Sequence, residues 1–158
     1  MKQKVFSFKD KFYIKDEDDN DKYYVEGKLM SFGKKLYVYD MKGNEVAFIK
    51  EQIWSFLPTL RVFCNGEQIA DITRKFSLFV PKYTIKGLDW KVTGKSTAHE
   101  YKITQGKNTI VSISKKWMTW ADTYEFDITK GTDEIIALAT VLAIDCAHER
   151  FRLAAMSD

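Results

Sequence analysis

Cysteine, proline and an excess of one charge are all scarce in this chain of 158 residues. Its two cysteines, Cys64 and Cys146, lie far apart and form neither a CxxC pair nor a disulfide framework. Two prolines and eight glycines exclude collagen-like, proline-rich and linker-rich chains. A formal net charge of +3 is too mild to indicate a nucleic-acid partner.

Long apolar runs are also missing. No stretch reaches the roughly 18 consecutive apolar residues of a membrane-spanning helix. Residues 1–9 lack the apolar core of a secretory signal. Together with the absence of a disulfide framework, this predicts a reduced, cytoplasmic protein without a transmembrane segment.

What the chain does contain is alternation. Apolar residues make up 45% of it and aromatic residues 15%, enough to bury a core and to favour β-structure. Tyr124, Phe126 and Ile128 alternate with polar residues, as do many other segments, and this period of two is typical of strands with one buried face. Turn signals such as Asn65-Gly66 interrupt at close intervals. We predict one mainly β domain over residues 1–158.

One segment near the carboxyl end breaks the alternation. Residues 135–144 are apolar on every side and rich in Ala and Leu, which favours a buried helix. Thr132 is expected to cap its start, Asp133 and Glu134 suit its positive end, and His148, Arg150 and Arg152 suit its other end. The apolar run is about half of what a bilayer crossing needs, so burial in protein is favoured over burial in lipid.

A helix without a polar face, beside many short strands, predicts one architecture. We expect a closed antiparallel barrel of about twelve strands around a central, buried, C-terminal hydrophobic helix. Internal repeats support it: residues 46–60, 69–83 and 110–124 each contain a strand, a charged pair, an aromatic turn and a strand. Pro58 and Pro81 coincide in the first two copies.

Three stretches resemble a known family. They are residues 24–29 continuing through 39–47, residues 114–117 with 120–128, and the apolar helix ending at 142–145. With these motifs the chain resembles the LURP-one-related family, which includes bacterial YxjI-like proteins and shares the fold of the tubby C-terminal domain. The resemblance implies a barrel of about twelve strands around a central helix. Among the relatives of this family, the tubby domain binds phosphoinositides and the phospholipid scramblases act at membranes.

Three basic pairs are the main candidate site. Two of them recur at matching hairpin positions, so we expect them to gather on one rim with Trp54, Phe79, Trp117 and Trp120. Such a rim suits an anionic membrane surface, where each Lys or Arg contributes about 1 kcal/mol. The alternative is edge-strand protection and ordinary solvated surface. The candidate residues are Lys34, Lys35, Arg74, Lys75, Lys115 and Lys116.

Asp145 is a candidate structural carboxylate. It closes the apolar helix, and an enclosed carboxylate needs hydrogen-bond donors or a cation. We expect it to clasp backbone groups of the barrel rim or a Lys or Arg. A functional carboxylate is the alternative.

Other motifs have ordinary explanations. Residues 89–96 approach a P-loop but lack its first glycine, and a strand instead of a helix is expected after them. The acidic stretch 16–21 lacks the glycine and late glutamate of an EF-hand and is expected to be a solvated turn. His99 and His148 have no metal-ligand spacing with the cysteines. We therefore predict no metal, no cofactor and no catalytic residue set.

The function predicted from these features is that of a non-enzymatic binding module. We expect it to recognise anionic phospholipid (phosphoinositide) or a protein partner through a basic, aromatic-lined barrel rim. The alternative is a small-ligand-binding protein or an enzyme of unknown chemistry.

Overall fold

A computed structural model describes residues 11–30, 33–77, 80–95, 100–116 and 123–156, with side chains except those of 29, 30, 95, 115, 116, 123, 124 and 152–155. The first sheet contains β1 (Lys11–Lys15), β2 (Asp21–Met30), β3 (Gly33–Asp40), β4 (Glu45–Glu51), β5 (Thr59–Cys64), β6 (Glu67–Lys75) and β7 (Lys82–Lys86). The second sheet contains β8 (Lys91–Lys95), β9 (Glu100–Gln105), β10 (Asn108–Lys116) and β11 (Thr123–Ile128), and helix α1 (Glu134–Met156) follows.

Both sheets are antiparallel meanders, in which strands adjacent in sequence are also paired in space. The chain passes from one sheet to the other between β7 and β8, which contact each other. The turn there requires Gly87, whose φ is 106° and where a Cβ would clash with the carbonyl oxygen of Ile69. The predicted repeats correspond to the hairpins β4–β5 and β6–β7, with Pro58 and Pro81 immediately before β5 and β7.

The meander gives the first sheet two distinct ends. The β2–β3, β4–β5 and β6–β7 connections lie at one end, which we call the distal end. The β1–β2, β3–β4 and β5–β6 turns lie at the other, the proximal end. An ion pair of 2.8 Å between Lys22 and Glu134 holds the start of the helix at the proximal end. A second, of 2.8 Å between Lys34 and Glu149, holds its later part at the distal end.

The middle of helix α1 is enclosed on every side. Each residue from 137 to 144 is at most 2% exposed. The helix packs against β4, β5 and β6 of the first sheet, and Asp145 accepts a hydrogen bond from Tyr101 in β9 of the second. The predicted burial in protein is confirmed.

Both predicted helix ends need correction. Asp133, not Thr132, is the cap, because its Oδ1 accepts a hydrogen bond of 3.0 Å from the amide of Ile136. The helix continues past Asp145 to Met156, since no glycine or proline interrupts residues 146–156. His148 and Arg150 therefore lie within the helix, and Asp145 does not close it.

The mainly β class with one C-terminal helix is confirmed. Within the described residues, the strands pair as two antiparallel sheets of seven and four strands. The closed barrel of about twelve strands stays a prediction.

Candidate functional site

The distal end exposes large apolar side chains at two neighbouring loops. In the β4–β5 loop, Trp54 is 99% exposed and Phe56 is 105% exposed, with Ile53 half-exposed beside them. In the β6–β7 loop, Phe76 is 70% exposed and Val80 is 44% exposed. We call these five side chains the loop tips. Large apolar side chains exposed together on neighbouring loops of a folded protein are typical of an interaction site.

The loops that present the tips are held by polar contacts. The Pro58 carbonyl accepts a hydrogen bond of 3.0 Å from the Arg74 amide, which ties the β4–β5 loop to the end of β6, next to the β6–β7 loop. The hydroxyl of Thr59 lies 2.9 Å from that of Ser55 and 3.0 Å from that of Thr73. Trp54 and Phe56 are therefore exposed by an ordered loop whose polar groups bond inward.

A row of cations crosses the outer face of the first sheet just below the loop tips. The strand register pairs Lys28 with Lys35, Lys35 with Lys50, and Lys50 with Arg61. We call these four residues the cation row. Arg61 then pairs with Asp71 at 3.2 Å. Like charges on directly opposed residues destabilise a sheet, so the row is unfavourable for folding alone.

Aromatic rings support the cation row from the adjacent row of the same face. Three rings pack in tilted pairs across β3, β4 and β5. The ring centroids of Tyr37 and Phe48 are 4.8 Å apart, and those of Phe48 and Phe63 are 5.8 Å apart. The Lys28 ammonium lies 5.4 Å from the Tyr37 ring, and that of Lys50 lies 5.6 Å from the Phe63 ring. These cation–π contacts hold the positive charges on the outer face.

The predicted basic pairs divide between the two faces of their strands. Lys34 points inward, where its ammonium bonds Glu149 at 2.8 Å, while Lys35 belongs to the cation row. Arg74 is only 5% exposed, while its neighbour Lys75 is exposed. Consecutive residues of a strand point to opposite faces, so in these two pairs Lys34 and Arg74 serve the fold, while Lys35 and Lys75 lie on the outer face.

Arg74 is unavailable to a surface ligand. Its guanidinium carbon lies 3.6 Å from the Phe151 ring centroid, and its Nη1 donates to the His148 carbonyl oxygen at 3.4 Å. Burial lowers the pKa of Arg74. A second inward contact completes this region, because Glu51 accepts from Arg150 Nε at 2.8 Å and from the Lys34 amide at 3.0 Å. We call the contacts of Lys34, Glu51 and Arg74 with the helix the helix clasp.

The third basic pair is described only by its backbone. In β10, Lys115 pairs with Tyr124 and Lys116 with Thr123. Since β11 leads to the helix start, this end of β10 lies towards the distal end. The three pairs therefore share one end of the fold, whereas Phe79, Trp117 and Trp120 lie outside the described residues.

Asp145 forms a hydrogen bond between the helix and the second sheet. It is half-buried, and the Tyr101 hydroxyl donates to it at 3.3 Å. We expected backbone groups or a Lys or Arg as its partners. The hydrogen bond from Tyr101 joins the helix to the second sheet.

The proximal end has a polar cleft of about 330 Å³, lined by residues that include Lys22, Lys130 and Glu134. Burial alone would raise the pKa of Glu134, but hydrogen bonds from Lys22 and the Tyr23 hydroxyl outweigh it and lower that pKa. The acidic stretch forms the predicted turn beside the cleft. There Asp16 accepts from the amides of Asn20 and Asp18, chiefly Asn20, which lowers the pKa of Asp16.

Other predicted motifs contain no reactive centre. Gly94 of the P-loop-like stretch lies inside β8, paired with Tyr101, and residues 96–99 with His99 lie outside the described part.

Burial raises the pKa of the Cys64 thiol to about 11 and that of Cys146 to about 12. Over the described ranges, no three His, Cys, Asp or Glu side chains are grouped to hold a metal ion. The same part of the chain contains no helix long and apolar enough to cross a membrane.

Sequence reasoning missed most of the cation row and of the loop tips. Lys28, Lys50 and Arg61 lie far apart in sequence and meet only through strand register. A signal was available, because each hairpin turn sets the register of its strands. Phe76 aligns with Ile53 in the repeats, one position before Trp54, but exposure cannot be told from the repeat pattern.

Comparison with known proteins gives a consistent result. The family model described as LURP-one-related matches residues 1–145. The chain is 36% identical over 145 residues to "Uncharacterized protein YxjI" of Bacillus subtilis (strain 168), covering 92% of this chain and 90% of that protein. It is also similar to the X-ray structure of a protein from Arabidopsis thaliana, with a TM-score of 0.65 and 15% identity over 90% of this chain and 87% of the other. The structural likeness shows a shared fold alone.

Proposed function

The chain belongs to the LURP-one-related family, and from the geometry of its distal end we propose that it is a non-enzymatic binding module that docks on anionic phospholipid surfaces. The observation that carries this proposal is the exposure of Trp54 and Phe56 next to a row of cations. Apolar side chains enter the lipid interface, while cations at the level of the headgroups bind their negative charge.

The loop tips supply the apolar part of the binding energy. Trp and Phe are the residues that amphipathic membrane-binding surfaces place in the interface. Each large apolar side chain that leaves water contributes about 1.5–3 kcal/mol. Trp54 and Phe56 together therefore supply a few kcal/mol of membrane affinity.

The cations supply the charge-dependent part. Lys75 pairs with Lys82 at the base of the β6–β7 loop, and both side chains are exposed. With the cation row, they give the distal end a positive outer surface beside the tips. A lysine-rich surface favours lipid over a protein partner, because protein interfaces are depleted of lysine.

A cytoplasmic location is part of the proposal. The cytoplasmic leaflet supplies the negative surface potential that the cations require. Both cysteines stay reduced in that compartment.

We propose that the two sheets continue into a closed barrel of about twelve strands around the helix. The support is the burial of residues 137–144 on every helix face. Amide exchange tests this: amides of these residues should exchange only through global unfolding. Exchange at the rate of a frayed helix would contradict the closed wall.

A small polar ligand is the second candidate, favoured by the cleft at the proximal end. Lys130 lines that cleft and is exposed, far from the loop tips. The substitution Lys130→Glu therefore separates the two candidates, because it changes the cleft and leaves the distal end intact.

Vesicle sedimentation tests the main proposal. Wild-type protein should sediment with phosphatidylcholine vesicles that contain phosphatidylglycerol, and not with phosphatidylcholine alone. Binding should weaken as salt rises from about 0.1 M to about 1 M, where the Debye length falls from about 10 Å to about 3 Å. The double variant Trp54→Ser, Phe56→Ser should bind at least about tenfold more weakly.

The matched control is Lys130→Glu, which should bind vesicles like the wild type to within about threefold. Absence of wild-type sedimentation at low salt would refute lipid docking. Equal sedimentation with neutral vesicles would refute the role of the cations.

A further inference from the structure

We infer that the cation row makes docking depend on the charge density of the surface and not on recognition of one particular headgroup. This inference rests on the proposed function and names its lipid class: phospholipids with a single negative charge, present in many copies. The juxtaposition that carries it is Lys28, Lys35, Lys50 and Arg61 side by side on four adjacent strands.

The row is not explained by the usual protection of sheet edges. Lysines at edges prevent pairing with other chains. The edges of the first sheet are β1 and β7, whereas Lys35 and Lys50 lie in β3 and β4 in its interior. Two of the like-charge pairs in the interior, Lys28–Lys35 and Lys35–Lys50, consist of lysines alone and oppose folding, and an external anion would relieve their repulsion.

The row is too long for one phosphate group. Paired strands are spaced about 4.8 Å apart, so the four strands from β2 to β5 span about 14 Å. Lys28 and Lys50, two strand spacings or about 10 Å apart, therefore face different headgroups in a membrane. Asp71 ends the run beyond Arg61 by pairing with it at 3.2 Å.

The row also lies on an outward sheet face. A site for one polyvalent headgroup needs donors that converge from several elements into a concavity. Here the cations come from successive strands of one sheet, and the rings beneath them hold the ammonium groups of Lys28 and Lys50 at 5.4 and 5.6 Å. The polar cleft lined by Lys22, Lys130 and Glu134 is at the proximal end, away from the row.

The loop tips determine that the anionic surface is a membrane. Lys50 immediately precedes Glu51, and the loop with Trp54 follows. Tips in the interface therefore bring the cation row to headgroup level. A nucleic-acid duplex would bind the cations through its phosphates without requiring exposed apolar tips.

The test compares vesicles of equal surface charge, one set with phosphatidylglycerol and one with a phosphoinositide. Wild-type affinity should agree within about threefold between the two sets, and soluble inositol trisphosphate should not compete. Lys35→Glu should lower affinity for both sets by about 30-fold, because two charge units change at about 1 kcal/mol each. Lys42→Glu, an exposed residue at the proximal end of the same sheet, is the matched control and should change affinity by less than about threefold.

Lys35→Glu has a second readout. It turns two like-charge pairs into opposite-charge pairs, so its urea midpoint should stay at the wild-type value or rise. Loss of binding with retained stability then reports on the surface and not on the fold. A fall in the midpoint would contradict the assignment of Lys35 to a mutually repelling row.

The failures of the two proposals are distinguishable. If wild type binds neither vesicle set, both fall. If it binds vesicles through Trp54 and Phe56 but prefers the phosphoinositide by more than tenfold, or tolerates Lys35→Glu, only the inference falls. Equal binding of a double-stranded oligonucleotide, unaffected by Trp54→Ser and Phe56→Ser, overturns the inference in favour of a nucleic acid.

Discussion

The burial of helix α1 on every face can be tested by substitutions at four consecutive positions. Residues 141–144 point in four directions about 100° apart. Val141, Leu142, Ala143 and Ile144 are 0%, 2%, 0% and 1% exposed, respectively. An amphipathic surface helix would tolerate substitution at one of the four, whereas an enclosed helix should tolerate none.

The expected costs follow from what each change removes or adds. Leu142→Ala and Ile144→Ala should each lower the free energy of unfolding by about 2–5 kcal/mol. Val141→Ala removes less and should cost about 1.5–3 kcal/mol. Ala143→Leu adds volume where there is none to spare and should cost about 1–3 kcal/mol.

Urea unfolding measures these changes. With a slope of about 1–3 kcal/mol per molar urea, a cost of about 2 kcal/mol lowers the midpoint by about 1 M. Met156→Ala is the control, because Met156 is 77% exposed, and its effect should stay within about 0.5 kcal/mol. If any of the four buried positions costs less than about 0.5 kcal/mol, the helix has a free face and the enclosing wall is wrong.

Two further predictions concern titratable groups. The pKa of Glu134 is lowered from its ordinary 4.5 in the folded protein, since the hydrogen bonds from Lys22 and Tyr23 outweigh burial. Glu134 therefore contributes stability above pH 4.5 that is lost as pH falls through the folded pKa. In Glu134→Gln the urea midpoint should fall less steeply with decreasing pH over that acid range than it does in the wild type. A parallel decline of the midpoint in both proteins would contradict this. Burial raises the pKa of Cys64 to about 11 and of Cys146 to about 12, so iodoacetamide at mildly alkaline pH should label them only after denaturant is added; stoichiometric labelling of native protein would show that one is exposed.

The secondary structure was predictable because its signals are local. Phe126 and Ile128 alternate with polar residues in β11, and Phe126 is fully buried. The hairpins β4–β5 and β6–β7, whose loops end at Pro58 and Pro81, follow from repeated turn and strand patterns. The helix core was predictable because a run without a polar face has few places to lie.

The helix ends were harder to predict because several residues could serve. Thr132 and Asp133 are both good caps, and only the coordinates show Asp133 accepting from Ile136. Asp145 marks the end of the apolar run and not of the helix. Beyond Asp145, the polar contacts of the helix clasp hold the helix in place of apolar packing. A hydropathy pattern does not detect such contacts, so it does not show that the helix continues.

The candidate site was predictable as a set of residue types and not as an arrangement. Adjacent lysines look alike in sequence, yet Lys34 bonds Glu149 and Lys35 faces outward. The cation row links residues 28 to 61, which are separated by three hairpin connections. Such a row is a property of register, and register depends on every turn between its members.

The alternation that splits the basic pairs also separates folding from binding. Lys34 and Arg74 contact the helix on the inner face, so changes there act on stability and alter any surface only through the fold. Lys35 and Lys75 lie one residue away on the outer face, where like-charge neighbours make them mildly unfavourable for stability. Under the proposed function, an external anion offsets this cost. The outer members of the pairs are therefore the positions at which a change in binding can be attributed to the surface itself.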